Sequence, residues 1–244
     1  MLWSPLVGAG LAGVAGLVLV VARRLYEGPT FYIQNVKVQA FEAPLLASAL
    51  AILALALLTR GLHLDGLADT VDGLASRKPA DQALAIMSEG PVGALGVAAL
   101  IGVLLVDVLA LASSVLAHHG TQSLVFGLLS GRLAMLWACT AGIPAARTGG
   151  MGALVAGTVS RPVAVLWTLV VGAGAAAYGR FDTEVGSNAG AIRGVVAVVL
   201  ALAVAWIVRR HAVRRFGGVT GDVLGALCEI ATMVSLLVTA AGGP

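Results

Sequence analysis

Charge is scarce in this sequence. Lys, Arg, Asp and Glu make up 11% of its 244 residues, whereas 59% are hydrophobic and the mean hydropathy is +0.98. Soluble domains carry about a quarter charged residues, so this composition excludes an ordinary water-soluble globule. Cysteine is nearly missing: Cys139 and Cys228 both sit in apolar stretches without CxxC or Cys/His spacing, which argues against a disulfide framework or a cysteine-based metal site. Low-complexity linkers and convincing internal repeats are absent, so residues 1–244 read as a single integral-membrane domain. The net charge is only +3, and no nucleic-acid partner is expected.

Long apolar runs are what the chain does have. A bilayer core of about 30 Å needs roughly 20 apolar residues per helix, and candidate runs fall at 2–22, 43–59, 92–117, 123–143, 163–179, 191–208 and 223–241. The expectation is an all-α, polytopic transmembrane bundle of about seven spans, with six as the near alternative. Arg23 and Arg24 follow the first run without a small-residue cleavage site, which reads as an uncleaved helix. With seven spans, one face holds Arg60, Arg77, Lys78, Arg147, Arg161, Arg209, Arg210, Arg214 and Arg215. The other holds Arg23, Arg24, Lys37, Arg180 and Arg193, and the richer face is expected in the cytoplasm. Two connections, residues 23–42 with Gly28-Pro29 and residues 180–190 with Asp182, Glu184 and Gly186, read as solvated loops.

The segment from Arg60 to Pro91 differs from these loops because it carries five of the twelve acidic residues. On a helix, Asp65, Asp69 and Asp72 stand at i, i+4 and i+7, which at about 100° per residue confines them to one stripe roughly 60° wide. A solvated helix would place Lys or Arg at i+4, but the i+4 partner of Asp65 is another Asp. Carboxylates this close repel unless a cation or protons neutralise them. Hard oxygen ligands suit Mg²⁺, which takes one or two protein carboxylates and is completed by substrate phosphates. Asp65, Asp69 and Asp72 are therefore the expected metal ligands, and a phosphate ester the expected ligand. His63 and Glu89 are candidate bases, against the plainer readings of a satisfied histidine and a helix-start acid.

A second constellation runs from Arg214 to Gly225. Paired Arg214 and Arg215, then Gly217 and Gly218, then Thr220 and Asp222 at a helix start, suit phosphate oxygens. The GxxxxGK[ST] spacing of a Walker motif is absent. Asp222 and Glu229 stand at i and i+7 at one end of an apolar span, where acids suggest function. Arg209 and Arg210 read as topology signals, Arg132 lies inside the fourth run, and the loop containing Arg147 emerges on the same side as both motifs. Asp107, His118 and His119 are weaker signals, the histidines falling at a loop.

The run from His63 through Asp65, Asp69 and Asp72 to Leu74 resembles the signature of the cobalamin synthase family, the adenosylcobinamide-GDP ribazoletransferases. The similarity continues through Met87 to Gly96, Ser130-Gly131-Arg132, Ala145-Ala146-Arg147 and Gly217 to Ala226, over roughly residues 4–241. The family pattern usually places further residues ahead of the segment matching Trp3 to Gly8, and a basic residue after the position of Met87. The resemblance implies transfer of the adenosylcobinamide-phosphate moiety from adenosylcobinamide-GDP to α-ribazole or its 5′-phosphate. GMP is released, Mg²⁺ is required, and the setting is the last steps of cobalamin biosynthesis in a bacterial inner membrane. On this reading Asp65, Asp69 and Asp72 hold the metal, and His63, Glu89 or an aspartate serves as base. Arg132, Arg147, Arg214, Arg215, Gly217, Gly218, Thr220 and Asp222 bind substrate. Two rivals are a CDP-alcohol phosphotransferase and a cation transporter. The first expects Arg where Ser76 follows Ala75; the second expects acids spread along several spans at mid-depth.

Overall fold

The structure, a computed structural model, describes residues 1–28, 30–33, 36–39, 43–181 and 187–241. Pro29 and the polar connection with Asp182, Glu184 and Gly186 lie outside the described residues.

Each apolar run of the sequence forms a helix. They are α1 (Ser4–Tyr26), α2 (Pro44–Leu58), α5 (Ala94–Leu116), α6 (Gly120–Ala138), α8 (Arg161–Gly179), α9 (Ser187–Phe216) and α10 (Gly221–Ala240). Between them lie a hairpin of β1 (Thr30–Ile33) and β2 (Val36–Gln39), and the helices α3 (Leu62–Ala75), α4 (Ala80–Glu89) and α7 (Gly150–Val155). Proline sits in the first turn of α1, α2 and α8, where its missing N–H costs nothing.

The expected count of seven spans is reduced. Among the described residues, five helices are long and apolar enough to cross a bilayer alone: α1, α5, α8, α9 and α10. The pair α2 and α3 passes only together and is bent by 87°, which brings the number to six at most. The fourth run is α6, which is long enough but carries buried Gln122, Ser123, Ser130 and Arg132. It packs against α1, α5, α8, α9 and α10 and is sheltered from lipid by them. Hydropathy alone therefore undercounts its depth in the protein, and length alone overcounts it as a lipid-facing span.

Two further departures have simple causes. Helix α1 runs on through Arg23 and Arg24, with Arg23 Nε donating to Glu27 at 2.6 Å, and the following connection forms the hairpin instead of a plain loop. Helix α9 continues to Phe216, so Arg209, Arg210, Arg214 and Arg215 ride on its last turns.

Glycines set the helix spacing around α6. A Cβ at Gly131 would meet Thr232 Oγ1 at 2.5 Å and Cys228 O at 2.7 Å, and one at Gly127 would meet Leu236 at 3.3 Å. Helices α6 and α10 are thus antiparallel and in close backbone contact, as small residues allow within a bilayer. Leu133, Leu136, Leu224 and Leu227 close the core on either side of this seam. Outward residues such as Leu17, Ile101, Leu166 and Ile207 are exposed to the lipid.

Candidate active site

Helix α3 turns away from α2 at Thr59 to Gly61 and reaches the first turns of α5 and α10. It crosses α10 where both chains carry glycine: a Cβ at Gly66 would stand 2.7 Å from Asp222 O, and one at Gly225 3.1 Å from His63 Cα. That crossing brings Asp65 and Asp69 of α3 to Asp222 in the first turn of α10. Asp69 is half-buried there. Burial first, then the neighbouring charges of Asp65, Asp222 and Asp72, push its pKa up to about 6, against the opposing pull of Arg147. Acids from segments more than 150 positions apart thus share one field.

Asp72 does not complete this group. Its carboxylate accepts the N–H of Gly93 at 2.6 Å and of Gly96 at 2.9 Å, satisfying free donors in the first turn of α5. A side chain at Gly93 or Gly96 would collide with it. The expected stripe of three carboxylates is therefore split: two face α10, and the third pins the end of α3 to α5. Among the described residues the three do not converge within ligand distance of one another.

A second wall comes from the connection between α6 and α8. Ala146 N donates to Val219 O at 3.0 Å and Val219 N to Pro144 O at 2.9 Å, a short parallel pairing that lays residues 144–146 beside residues 217–220. Gly218 leaves no room for a side chain against Ala145 and Ala146, and Gly217 has φ +80°. Both glycines are thereby explained by packing and backbone conformation. Thr220 caps α10, accepting from Val223 N at 3.1 Å, and its hydroxyl donates to Asp222 Oδ2 at 3.2 Å. Arg147 donates to Leu84 O and bears electrostatically on both Asp69 and Asp222.

These walls enclose a cavity of about 180 Å³ lined by His63, Arg147, Thr220, Asp222 and Gly225, with Leu62, Met135, Val219 and residues 149–153 on its remaining sides. Deeper in the bundle, Arg132 Nη1 donates to His63 Nε2 at 2.8 Å, while His63 Nδ1 stands 3.9 Å from Glu229 Oε1. Arg can only donate, so Nε2 is the accepting nitrogen and the imidazole proton sits on Nδ1, toward Glu229. Arg132 thus holds His63 Nε2 from beneath the cavity, while Nδ1 faces Glu229 beyond hydrogen-bond distance. His63, Cys228 and Glu229 are the one His/Cys/Asp/Glu group among the described residues whose ligand atoms lie within 4.8 Å of each other. The guanidinium on His63 argues against a cation there.

Of the residues singled out from sequence, His63, Arg147, Thr220 and Asp222 line the cavity, with Asp69 in electrostatic reach of Arg147 and Asp222. Others lie elsewhere. Glu89 is exposed at the end of α4, Arg214 is exposed on α9, and Arg132 is buried beneath His63. Arg215 donates to Lys78 O, lies 3.5 Å from Ser76 Oγ and stacks over Phe216 at 5.8 Å, tying α9 to the α3–α4 connection. The sequence reading missed Met135 and the run Gly149 to Ala153. Three glycines in the four residues 149–152, just beyond Arg147 and Thr148, were the available signal.

A cavity lined by Asp222, Arg147, His63 and Thr220 within a bundle of long apolar helices defines a multi-pass membrane protein. The family described as cobalamin-5-phosphate synthase matches residues 1–240, and the chain belongs to that family. It is 41% identical over 242 residues to a protein of Frankia casuarinae named adenosylcobinamide-GDP ribazoletransferase, covering 98% of this chain and 84% of the relative. Proteins of the same name from Nocardioides sp. and Citrobacter koseri are 41% and 35% identical, covering 81% and 96% of this chain and 74% and 84% of the relatives. No solved structure matches the chain.

Proposed function

We propose that this protein is an adenosylcobinamide-GDP ribazoletransferase. It joins adenosylcobinamide-GDP to α-ribazole or its 5′-phosphate and releases GMP. The observation that carries the reading at the site is the meeting of Asp65 and Asp69 with Asp222, opposed by Arg147. Such a cluster is unfavourable alone and suits a cation plus phosphate.

The donor set is hard oxygen, the kind Mg²⁺ takes as one or two protein carboxylates completed by water and substrate phosphates; Asp69 and Asp222, with Asp65 beside them, would hold it, and in this structure their oxygens do not all lie within 4.8 Å of one another. When bound, the ion neutralises charge on the pyrophosphate. The protein's own residues do the rest. Arg147 offers a fork of donors to phosphate oxygens from the cavity wall. Thr220 and the first turn of α10 fix the carboxylate of Asp222. A ribose hydroxyl of α-ribazole attacks the cobinamide-linked phosphorus, the pyrophosphate bond breaks, and GMP carries off the bonding pair. The hydroxyl proton goes to a carboxylate at the α3–α10 crossing, where Asp222 lines the cavity; His63 Nε2 is held by Arg132 and Glu89 is exposed at the end of α4. Preorganised charge and positioning supply the rate.

The site faces the cytoplasm of a bacterial cell across its inner membrane. Arg77, Lys78, Arg147 and Arg215 gather around the two motifs, as the positive-inside rule expects of that side. The test is incubation of purified, detergent-solubilised protein with adenosylcobinamide-GDP, α-ribazole and Mg²⁺. GMP should appear in equal amount to the joined corrinoid. Absence of GMP, or GMP released equally without α-ribazole, would overturn the assignment.

A further inference from the structure

The cavity is two-faced. Arg147, Thr220 and Asp222 form a polar wall, whereas Leu62, Met135, Met151, Ala153 and Val219 form an apolar one. Val219 is fully buried and Met135 is 6% exposed at the floor, while Leu62 and Met151 are 52% and 45% exposed at the mouth. Apolar side chains flanking the opening of a charged site lose stabilisation if only water meets them.

Gly149 adds an independent observation. Its φ of −127° is open to any residue, and a Cβ there would meet nothing within 4 Å. Neither backbone conformation nor internal packing explains the glycine, which is exposed and is among the residues that line the cavity. Gly152 differs, because a Cβ there would stand 2.7 Å from Val219 O.

We propose that the wall formed by Gly149, Met151, Met135 and Leu62 is the subsite for the fused aromatic base of α-ribazole, and that it sets which lower base is accepted. This rests on the transferase reading above. The chemistry favours the ribazole base over the guanine of the other substrate. A benzimidazole glycosylated on one nitrogen has no N–H donor and presents flat apolar faces. Thioethers suit such faces: methionine sulfur packs against aromatic rings and its side chain adapts to ring substituents. Guanine presents a row of donors and acceptors, and burying them on an apolar wall leaves them unpaired. On the polar edge of the same cavity Thr220 is engaged with Asp222 and Val223, and Arg147, held at one nitrogen by Leu84 O, faces the phosphates. The base would thus lie on the Met wall while its ribose reaches toward Asp222, next to the carboxylates.

The experiment uses the full-length protein in detergent, with both substrates varied and GMP measured. Gly149→Leu should raise KM for α-ribazole by about tenfold or more, the scale of a few misplaced methylenes in an apolar pocket, with KM for adenosylcobinamide-GDP unchanged within about twofold. Gly149→Ala is a milder second variant that the open space tolerates, and should show the same direction. Met151→Gln should lower kcat/KM more for the dimethylbenzimidazole riboside than for an adenine riboside. The intrinsic fluorescence of the benzimidazole gives a binding readout without turnover, and its change on binding should weaken in Gly149→Leu. A rise confined to KM for adenosylcobinamide-GDP would place guanine on this wall and overturn the proposal, as would unaltered constants for both substrates. Wild-type protein that releases no GMP would instead remove the transferase reading itself.

Discussion

Arg132 Nη1 and His63 Nε2 lie 2.8 Å apart, joining the middle helix α6 to the first turn of α3 beneath the cavity. The arginine is 7% exposed, and Glu229 completes the group from α10 through His63 Nδ1 at 3.9 Å. Three helices that carry or support the site are thereby held by one buried charged cluster. Removing one member leaves the others uncompensated in a medium of low dielectric. Arg132→Met is expected to cost about 3–5 kcal/mol, read as a lowered unfolding midpoint in detergent. Arg132→Met combined with Glu229→Gln should recover part of that loss, because the orphaned carboxylate is gone.

His63 itself should be dispensable for proton transfer. His63→Gln, which keeps an accepting oxygen for Arg132, is expected to retain activity within about tenfold, far from the 10²–10⁴-fold typical of a lost general base. Steady-state rates of GMP release across pH check this.

Asp69 and Asp72 should separate cleanly although they are three residues apart. Asp72→Ala removes the acceptor for Gly93 and Gly96 and should destabilise by about 1–2 kcal/mol. Asp72→Asn keeps one oxygen and should fall between Ala and wild type. Asp69→Asn should leave the unfolding midpoint nearly unchanged, or raised, while abolishing GMP release. Thermal unfolding measured beside activity distinguishes the two roles.

The acid limb of activity follows from Asp69. Its pKa is raised to about 6, above its ordinary value of 3.8, so the protonated form is favoured by the fold and the charged form is strained. The sign is therefore that of a stability contribution present below the unfolded-state pKa and lost as pH rises through about 6 in the absence of metal. Activity runs the opposite way, since phosphate and cation need the ionised face. Lowering pH below about 6 should reduce kcat/KM, and raising Mg²⁺ should move that limb to lower pH by competing with the proton. A limb independent of Mg²⁺ would separate Asp69 from the metal.

The helical stripe of Asp65, Asp69 and Asp72 was legible because its period is a local property of α3, and the seven apolar runs because length and hydropathy are local too. Partners were not legible. Nothing in the spacing of Asp72 shows that α5 is entered through Gly93 with unpaired amides, or that Gly66 and Gly225 let α10 bring Asp222 to Asp69. The glycines after Arg215 looked like a phosphate cradle, but Gly218 is spent on the backbone of Ala145 and Ala146. Arg215 likewise ended on Lys78 O because α9 continues to Phe216, a boundary the hydropathy window closes too early.

That difference has its own consequence. Arg147 faces the carboxylates and lines the cavity, so Arg147→Lys should lower kcat/KM for adenosylcobinamide-GDP by about one to three orders of magnitude, roughly 1.4–4 kcal/mol. Arg215→Lys, acting through the α3–α4 connection, should lose less than Arg147→Lys and show it in stability.

The central claim is that acids from α3 and α10 form one cation and phosphate site. It is tested most directly by the Mg²⁺ dependence of GMP release in Asp222→Asn beside wild type. Loss of a ligand should raise the Mg²⁺ concentration for half-maximal rate by about tenfold or more, the scale of one lost charged contact of roughly 1.4 kcal/mol or above. An unchanged Mg²⁺ requirement in Asp222→Asn, with ordinary turnover, would contradict a site shared between the two helices.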